Sequence, residues 1–177
     1  MKCRTTASSY YDVLMTSIAD TRAAVITISD RCARGEREDT SGTLVFERLR
    51  AAGADVVSHV TVPDDIDRIQ NAVREAAEKA ELLVTTGGTG IAFRDVTPEA
   101  LRPLLDRELP GIAEAMRAAG LLSTPYAMLS RQVCGVVGHC LVLALPGSER
   151  AVGDCLDAVW SALPHALALL RGDAVTH

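Results

Sequence analysis

Apolar runs alternate with helically spaced stretches along most of this chain, and each apolar run ends in a polar, glycine-bearing loop. Arg22 to Ser29 contains Ala23-Ala24-Val25-Ile26-Thr27-Ile28, a continuous β-prone run of the kind buried on both faces of a sheet. Asp55 to Val62 alternates in part and is β-branched, which predicts a second strand. Leu82-Leu83-Val84 is a third, cut short by the glycines that follow. Gln132 to Leu145 reads as two further β-runs joined near Gly138-His139, a hairpin or sheet extension.

The intervening segments have helical spacing. Leu44, Val45, Leu49 and Ala52 share one face, and Gly53 stops that helix. Ile66, Ile69, Val73, Ala76 and Ala80 form the next, with Asp64 placed as its N-cap and Asp67 adding charge at the positive helix end. Thr97 is placed as the cap of a third helix, with Pro98 in its first turn. Pro103, Pro110-Gly111 and Pro125 divide the region after it into short helices, one of them near Gly111 to Gly120. Ser148 is placed as the cap of a helix carrying Val152, Cys155, Leu156, Val159 and Leu163. Pro164 kinks or ends that helix, and a short apolar tail runs to Leu170. Strands alternating with helices predict an α/β sandwich with a parallel sheet, helices on both faces and a ligand site beyond the carboxyl ends of the strands. Residues 1–21 show no periodicity and are read as a mobile arm, with 22–172 a single domain.

Composition narrows the function. A net charge of −5 with only Lys2 and Lys79 as lysines argues against a nucleic-acid surface. Five cysteines, odd in number and without a C-x-x-C pair, point to thiols in a reducing compartment rather than a disulfide scaffold or zinc site. The chain has no run long enough to span a membrane and its start lacks a signal-like apolar core, so it is read as cytoplasmic.

The chemistry gathers in four post-strand loops: Ser29-Asp30, Pro63-Asp64-Asp65, Thr86-Gly87-Gly88-Thr89-Gly90 through Arg94-Asp95, and Pro146-Gly147-Ser148. A strand, a glycine loop and a helix N-terminus form an anion site. Aspartates beside it would repel a phosphate unless a divalent cation lay between, and Mg²⁺ takes one or two carboxylates plus substrate phosphates. The inferred chemistry is Mg²⁺-assisted phosphoryl or nucleotidyl transfer. Plainer roles compete: capping for Asp64, an Asx turn for Asp95, a loop tie for Asp30 and a surface pair for Ser130-Arg131. His59, His139, His165 and His177 form no spaced set, and no Walker-type or Rossmann glycine motif is present.

Taken in order, Ile28-Ser29-Asp30-Arg31, Asp39-Thr40-Ser41-Gly42, Val62-Pro63-Asp64-Asp65, Thr85-Thr86-Gly87-Gly88-Thr89-Gly90, Arg94-Asp95-Val96-Thr97-Pro98-Glu99-Ala100, Leu129-Ser130-Arg131 and Leu145-Pro146-Gly147-Ser148 resemble the Mog/MoaB-type molybdopterin adenylyltransferases, which share their domain with gephyrin. The resemblance spans about residues 22–172. It implies a three-layer α/β domain assembled as a homotrimer, with molybdopterin and ATP as substrates, Mg²⁺ as cofactor, and adenylyl-molybdopterin passed to a molybdenum-insertion protein. By motif position it implies catalytic and metal-placing roles for Asp64 and Asp95. It also implies that Thr86, Gly87, Gly88, Thr89, Gly90, Ser130, Arg131, Pro146, Gly147 and Ser148 line the nucleotide and pterin pockets, with Ser29 and Asp30 nearby. Molybdenum-insertion enzymes and competence-damage-type proteins carry a similar Gly-Gly loop but generally lack the Arg-Asp-Val-Thr-Pro-Glu-Ala phrase present here. A pterin carrier with little transfer activity is the second reading, and a nucleotide-binding domain of another pathway is the third. Departures from the pattern are Glu149-Arg150 where a proline is common, and Ile112-Ala113 in place of an aromatic-acidic pair.

Overall fold

The structure, a computed structural model, describes residues 17–173. Its strands are β1 (Arg22–Ile28), β2 (Asp55–Val62), β3 (Leu82–Thr86), β4 (Arg107–Glu108), β5 (Cys134–Val137) and β6 (Cys140–Leu145). They form one sheet in the order β2-β1-β3-β6-β5-β4. The pairings of β1 with β2, β1 with β3 and β3 with β6 are parallel; β5 runs antiparallel to both β6 and the two-residue β4. The hairpin turns at Gly138, whose φ of 60° suits a residue without Cβ.

The helices are α1 (Asp30–Ala33), α2 (Thr40–Ala51), α3 (Ile66–Ala77), α4 (Thr97–Leu101), α5 (Pro110–Ser123), α6 (Glu149–Val159) and α7 (Leu163–Arg171). Odd and even positions of the central strands point to opposite faces, and each face has its own helical cover. Val25, Val84 and Leu143 meet Leu49 of α2, Met116 of α5, Leu156 of α6 and Leu167 of α7. Ile26, Leu83 and Val142 meet Ile69 and Val73 of α3 and Leu101 of α4. A sheet buried on both faces explains the uninterrupted apolar runs.

The structure corrects several expectations. The polar stretch after β1, where no helical spacing is seen in the sequence, opens with α1. Pro164 lies in the first turn of α7 rather than breaking a helix, and the apolar tail to Leu170 is itself helical. A proline costs nothing there because first-turn N–H groups have no intrahelical acceptor. The packed boundary also precedes Arg22. Ile18 is 2% exposed within the core, Asp20 N donates to Gly53 O at 3.0 Å, and Arg171 Nη2 donates to Thr21 Oγ1 at 3.0 Å. Residues 1–16 of the expected arm lie outside the described residues.

The chain leaves β1 for β2 on one side, then returns to β3 on the other. Such a reversal opens a crevice at the carboxyl ends of β1 and β3. Backbones approach closely here: a Cβ on Gly87 would sit 2.2 Å from Ile28 O, and φ at Gly87 is 96°. Only glycine fits both constraints.

Candidate active site

Two neighbouring helix starts decide which aspartate is free for chemistry. Asp65, not Asp64, is the N-cap of α3, its Oδ1 accepting from Arg68 N at 3.0 Å. Asp64 instead faces the start of α1. Asp30 N donates to Asp64 Oδ2 at 2.8 Å, and Asp64 N donates to Asp30 Oδ1 at 3.1 Å. Arg94 closes this pair with a two-pronged contact, Nε to Asp30 Oδ2 and Nη2 to Asp30 Oδ1, both 2.9 Å. Asp30 is thus a tie between three loops.

The electrostatics of the two carboxylates diverge. Burial pushes Asp30 up, but the Arg94 guanidinium and the Asp64 N–H outweigh it and hold Asp30 below the usual carboxylate value. Asp64 moves the other way. Burial raises it, the Asp30 N–H offsets part of that rise, and the charges of Asp30 and Asp95 add to it. An acid held above its ordinary value beside two other carboxylates is short of positive charge, which suits a divalent cation. Among the described residues no group of three His, Cys, Asp or Glu side chains could hold a metal by itself. Such a cation would therefore need substrate phosphates to complete its shell.

Asp95 forms no Asx turn, which would bond forward to the N–H two residues on; its Oδ2 accepts from Ala92 N, three residues back, at 2.7 Å. Thr97 does not cap α4; Val96 occupies that position without a side-chain bond. The fully buried Thr97 hydroxyl donates instead to Gly87 O at 2.9 Å, while Thr97 N donates to Gly88 O at 3.1 Å. Arg131 also departs from expectation. Its side chain lies behind the loop, giving Nε to Gly90 O at 2.7 Å and Nη2 to Asp95 O at 2.5 Å and pairing with Glu99. Arg131 N donates to Thr89 O at 2.7 Å. The carbonyls of Gly87, Gly88, Thr89 and Gly90 are all satisfied from below. Among the described residues the N–H groups of Gly88, Thr89 and Gly90 donate to no protein acceptor. A run of unengaged N–H groups on a fixed backbone is an anion cradle.

Two cavities meet at this loop. The larger, about 540 Å³, takes Thr89, Gly90, Ser130, Pro146 and Ser148 into its lining. The smaller, about 190 Å³, takes Ser29, Asp64, Thr86 and Gly87. Gly88, Asp95 and Gly147 border both. Asp30 and Arg131 line neither; they hold the walls. Ser29 and Ser148 spend their hydroxyls as caps of α1 and α6.

Sequence reasoning missed the work of several groups. Asp39 caps α2 through Gly42 N at 2.8 Å and accepts from Thr27 Oγ1 at 2.6 Å. His59, part of no spaced set in the sequence, lies 3.2 Å from the same carboxylate. Thr97 and Arg94 stood in the quoted motif, but their partners are distant in sequence. Gln132, in the lining of the larger cavity, carried no local signal.

Comparison with known proteins places this arrangement. A family model described as Probable molybdopterin binding domain matches residues 24–165. The molybdenum cofactor synthesis protein cinnamon of Drosophila melanogaster is 42% identical over 84% of this chain, and the chain spans 25% of that longer protein. A molybdopterin adenylyltransferase of Pyrococcus furiosus is 42% identical, with 81% of this chain and 87% of that protein aligned. The crystal structure of the molybdopterin biosynthesis enzyme MoaB of Thermus thermophilus superposes with a TM-score of 0.81 at 46% identity, covering 88% of this chain and 99% of that one. Relatives of this chain are thus named for molybdenum cofactor synthesis and molybdopterin adenylyl transfer, and this chain belongs to the Probable molybdopterin binding domain family.

Proposed function

We propose that the chain is a molybdopterin adenylyltransferase that binds molybdopterin and ATP in the two joined cavities. The observation that carries this is the cradle at their junction: satisfied carbonyls, unengaged N–H groups at Gly88, Thr89 and Gly90, and the carboxylates of Asp64 and Asp95 beside them. Two cavities that share Gly88, Asp95 and Gly147 in their linings suit two phosphate-bearing substrates meeting end to end. A terminal phosphate oxygen of molybdopterin attacks the α-phosphorus of ATP. The new P–O bond forms as the bond to the β-phosphate bridge breaks, and pyrophosphate leaves with its electron pair. The cradle's N–H groups bind the charge on the transferring phosphoryl group, and the Asp30–Arg94 clamp holds Asp64 in register. Asp64 and Asp95 would hold Mg²⁺, which supplies neutralisation of phosphate charge.

The proposal extends to a homotrimer in the cytoplasm that hands its product to a molybdenum-insertion protein. Exposed apolar side chains, Phe93 at 96% and Leu122 at 93%, support an assembly by offering surface for a partner copy to cover. No helix among the described residues is long and apolar enough to cross a membrane. The test is incubation with molybdopterin and Mg-ATP, followed by chromatography for adenylyl-molybdopterin. The product is expected to form, and to vanish on chelation and in Asp95→Asn. Pterin binding without product would move the assignment to a carrier.

A further inference from the structure

The larger cavity has one buried amide in its lining, Gln132, 3% exposed, between Ser130 and β5. Its Nε2 donates to Cys155 Sγ at 3.1 Å and to Met116 Sδ at 3.8 Å. The sulfurs fix which way the amide points. A thioether has no proton to give, and the Cys155 thiol directs its own hydrogen at Met116 O, 3.9 Å away. Both N–H groups of the amide are thus turned into the protein. The carbonyl oxygen accepts no hydrogen bond from any described residue. With its N–H groups held inside the protein and Gln132 lining the cavity, the carbonyl oxygen is open to a donor from a bound ligand. Around the amide, Met116, Leu129, Pro146 and Ala151 contribute apolar lining. An apolar slot with a thioether and one acceptor suits a planar heterocycle that presents N–H groups at its edge.

We propose that Gln132 is a specificity-determining residue whose carbonyl oxygen reads the 2-amino, N3–H edge of a 2-amino-4-oxopteridine bound in the larger cavity. The inference rests on the transferase reading for the identity of the substrate, and it places the pterin in the larger cavity and the nucleotide in the smaller. The chemistry favours the pterin over adenine. Its pyrimidinone ring carries two neighbouring donors that converge on one oxygen with two lone pairs. Adenine sets its single amino group between ring nitrogens that are acceptors, and one of these would face the same oxygen unpaired.

The test is fluorescence titration of the full chain with 6-hydroxymethylpterin and with the analogue in which oxygen replaces the 2-amino group. Wild-type protein is expected to prefer the pterin by about tenfold or more, the size of one buried hydrogen bond and its unmet partner. Gln132→Met, close in volume, is expected to bring that ratio near one while the Kd for ATP stays unchanged. Gln132→Leu repeats the measurement should the methionine variant fold poorly, and the analogue comparison on wild-type protein needs no variant. An unchanged ratio in the variants, no preference in wild type, binding of neither compound, or a loss of ATP affinity instead would each overturn the assignment. Turnover to adenylyl-molybdopterin without any pterin preference would sink this inference alone; pterin preference without turnover would sink the transferase reading alone.

Discussion

Thr97→Val isolates what the cradle owes to the hydroxyl beneath it. Thr97 is fully buried, and its Oγ1 is 2.9 Å from Gly87 O. The same oxygen would lie 2.3 Å from a Cβ placed on Gly88, so it sits directly under the turn. Valine keeps the shape and removes the bond. The loss comprises the hydrogen bond and a Gly87 carbonyl left without its side-chain donor, together about 2 kcal/mol. At 177 residues that corresponds to a fall in Tm of roughly 4–8 °C. A methyl group in the hydroxyl's place also presses upward on Gly88, and a shift of about 1 Å at a reacting centre can cost about 100-fold in rate. Thermal unfolding and product formation should be followed in parallel with Thr97→Ser, which keeps the hydroxyl and loses only a methyl. The expected pattern is a lower Tm with kcat reduced about 10- to 100-fold for valine, and near wild-type kcat for serine. A valine variant that melts and turns over like wild type, while serine loses both, would show that packing rather than the hydrogen bond supports the loop.

Asp64→Asn should separate stability from activity. Because the folded state holds Asp64 above its unfolded value, its favourable contribution is full below the unfolded value and is lost as pH rises through the folded one. At neutral pH the asparagine variant should therefore unfold no more easily than wild type, yet transfer should drop by about 100-fold or more; a destabilised variant in urea at pH 7 would contradict the charge argument. Thr85→Val should stabilise the protein by about 1–2 kcal/mol, since the Thr85 hydroxyl is buried without a partner. A lower urea midpoint in that variant would reveal a role for the hydroxyl.

The alternation of strands and helices was legible because it is written locally, in runs buried on two faces and in spacings of three and four. The cradle was legible for the same reason, since Gly87, Gly88 and Gly90 announce backbone freedom within one short stretch. The helix caps were harder to place. Asp64 and Asp65 are chemically identical candidates, and only the reach of Asp64 to the Asp30 N–H, 34 residues away in sequence, decides between them. Thr97 was misassigned because capping is the commonest use of a threonine before a proline, whereas its actual partner is ten residues back in the chain. Arg131 was placed in a pocket by its position in the family motif, whereas its charge is answered by Glu99 and two loop carbonyls. Gln132 gave no signal at all, since its meaning lies in Met116 and Cys155, which reach it from α5 and α6.

Those displaced roles share one physical consequence. Every group that could have blunted the cradle has been drawn to another task. Asp65 takes the cap of α3, leaving Asp64 to face the crevice. Arg94 neutralises Asp30, and the negative charge that remains is that of Asp64 and Asp95. Arg131 and Thr97 occupy the loop carbonyls, which would otherwise repel a phosphate, so the unengaged backbone groups are the N–H donors. The site therefore presents positive dipoles on one side and, on the other, two carboxylates that form no salt bridge with a described residue. That polarity cannot be reproduced by the glycine loop alone, because a loop free to rotate its peptides would offer carbonyls as readily as N–H groups. The glycines allow the turn, and the threonine and arginine beneath it determine which way its dipoles point.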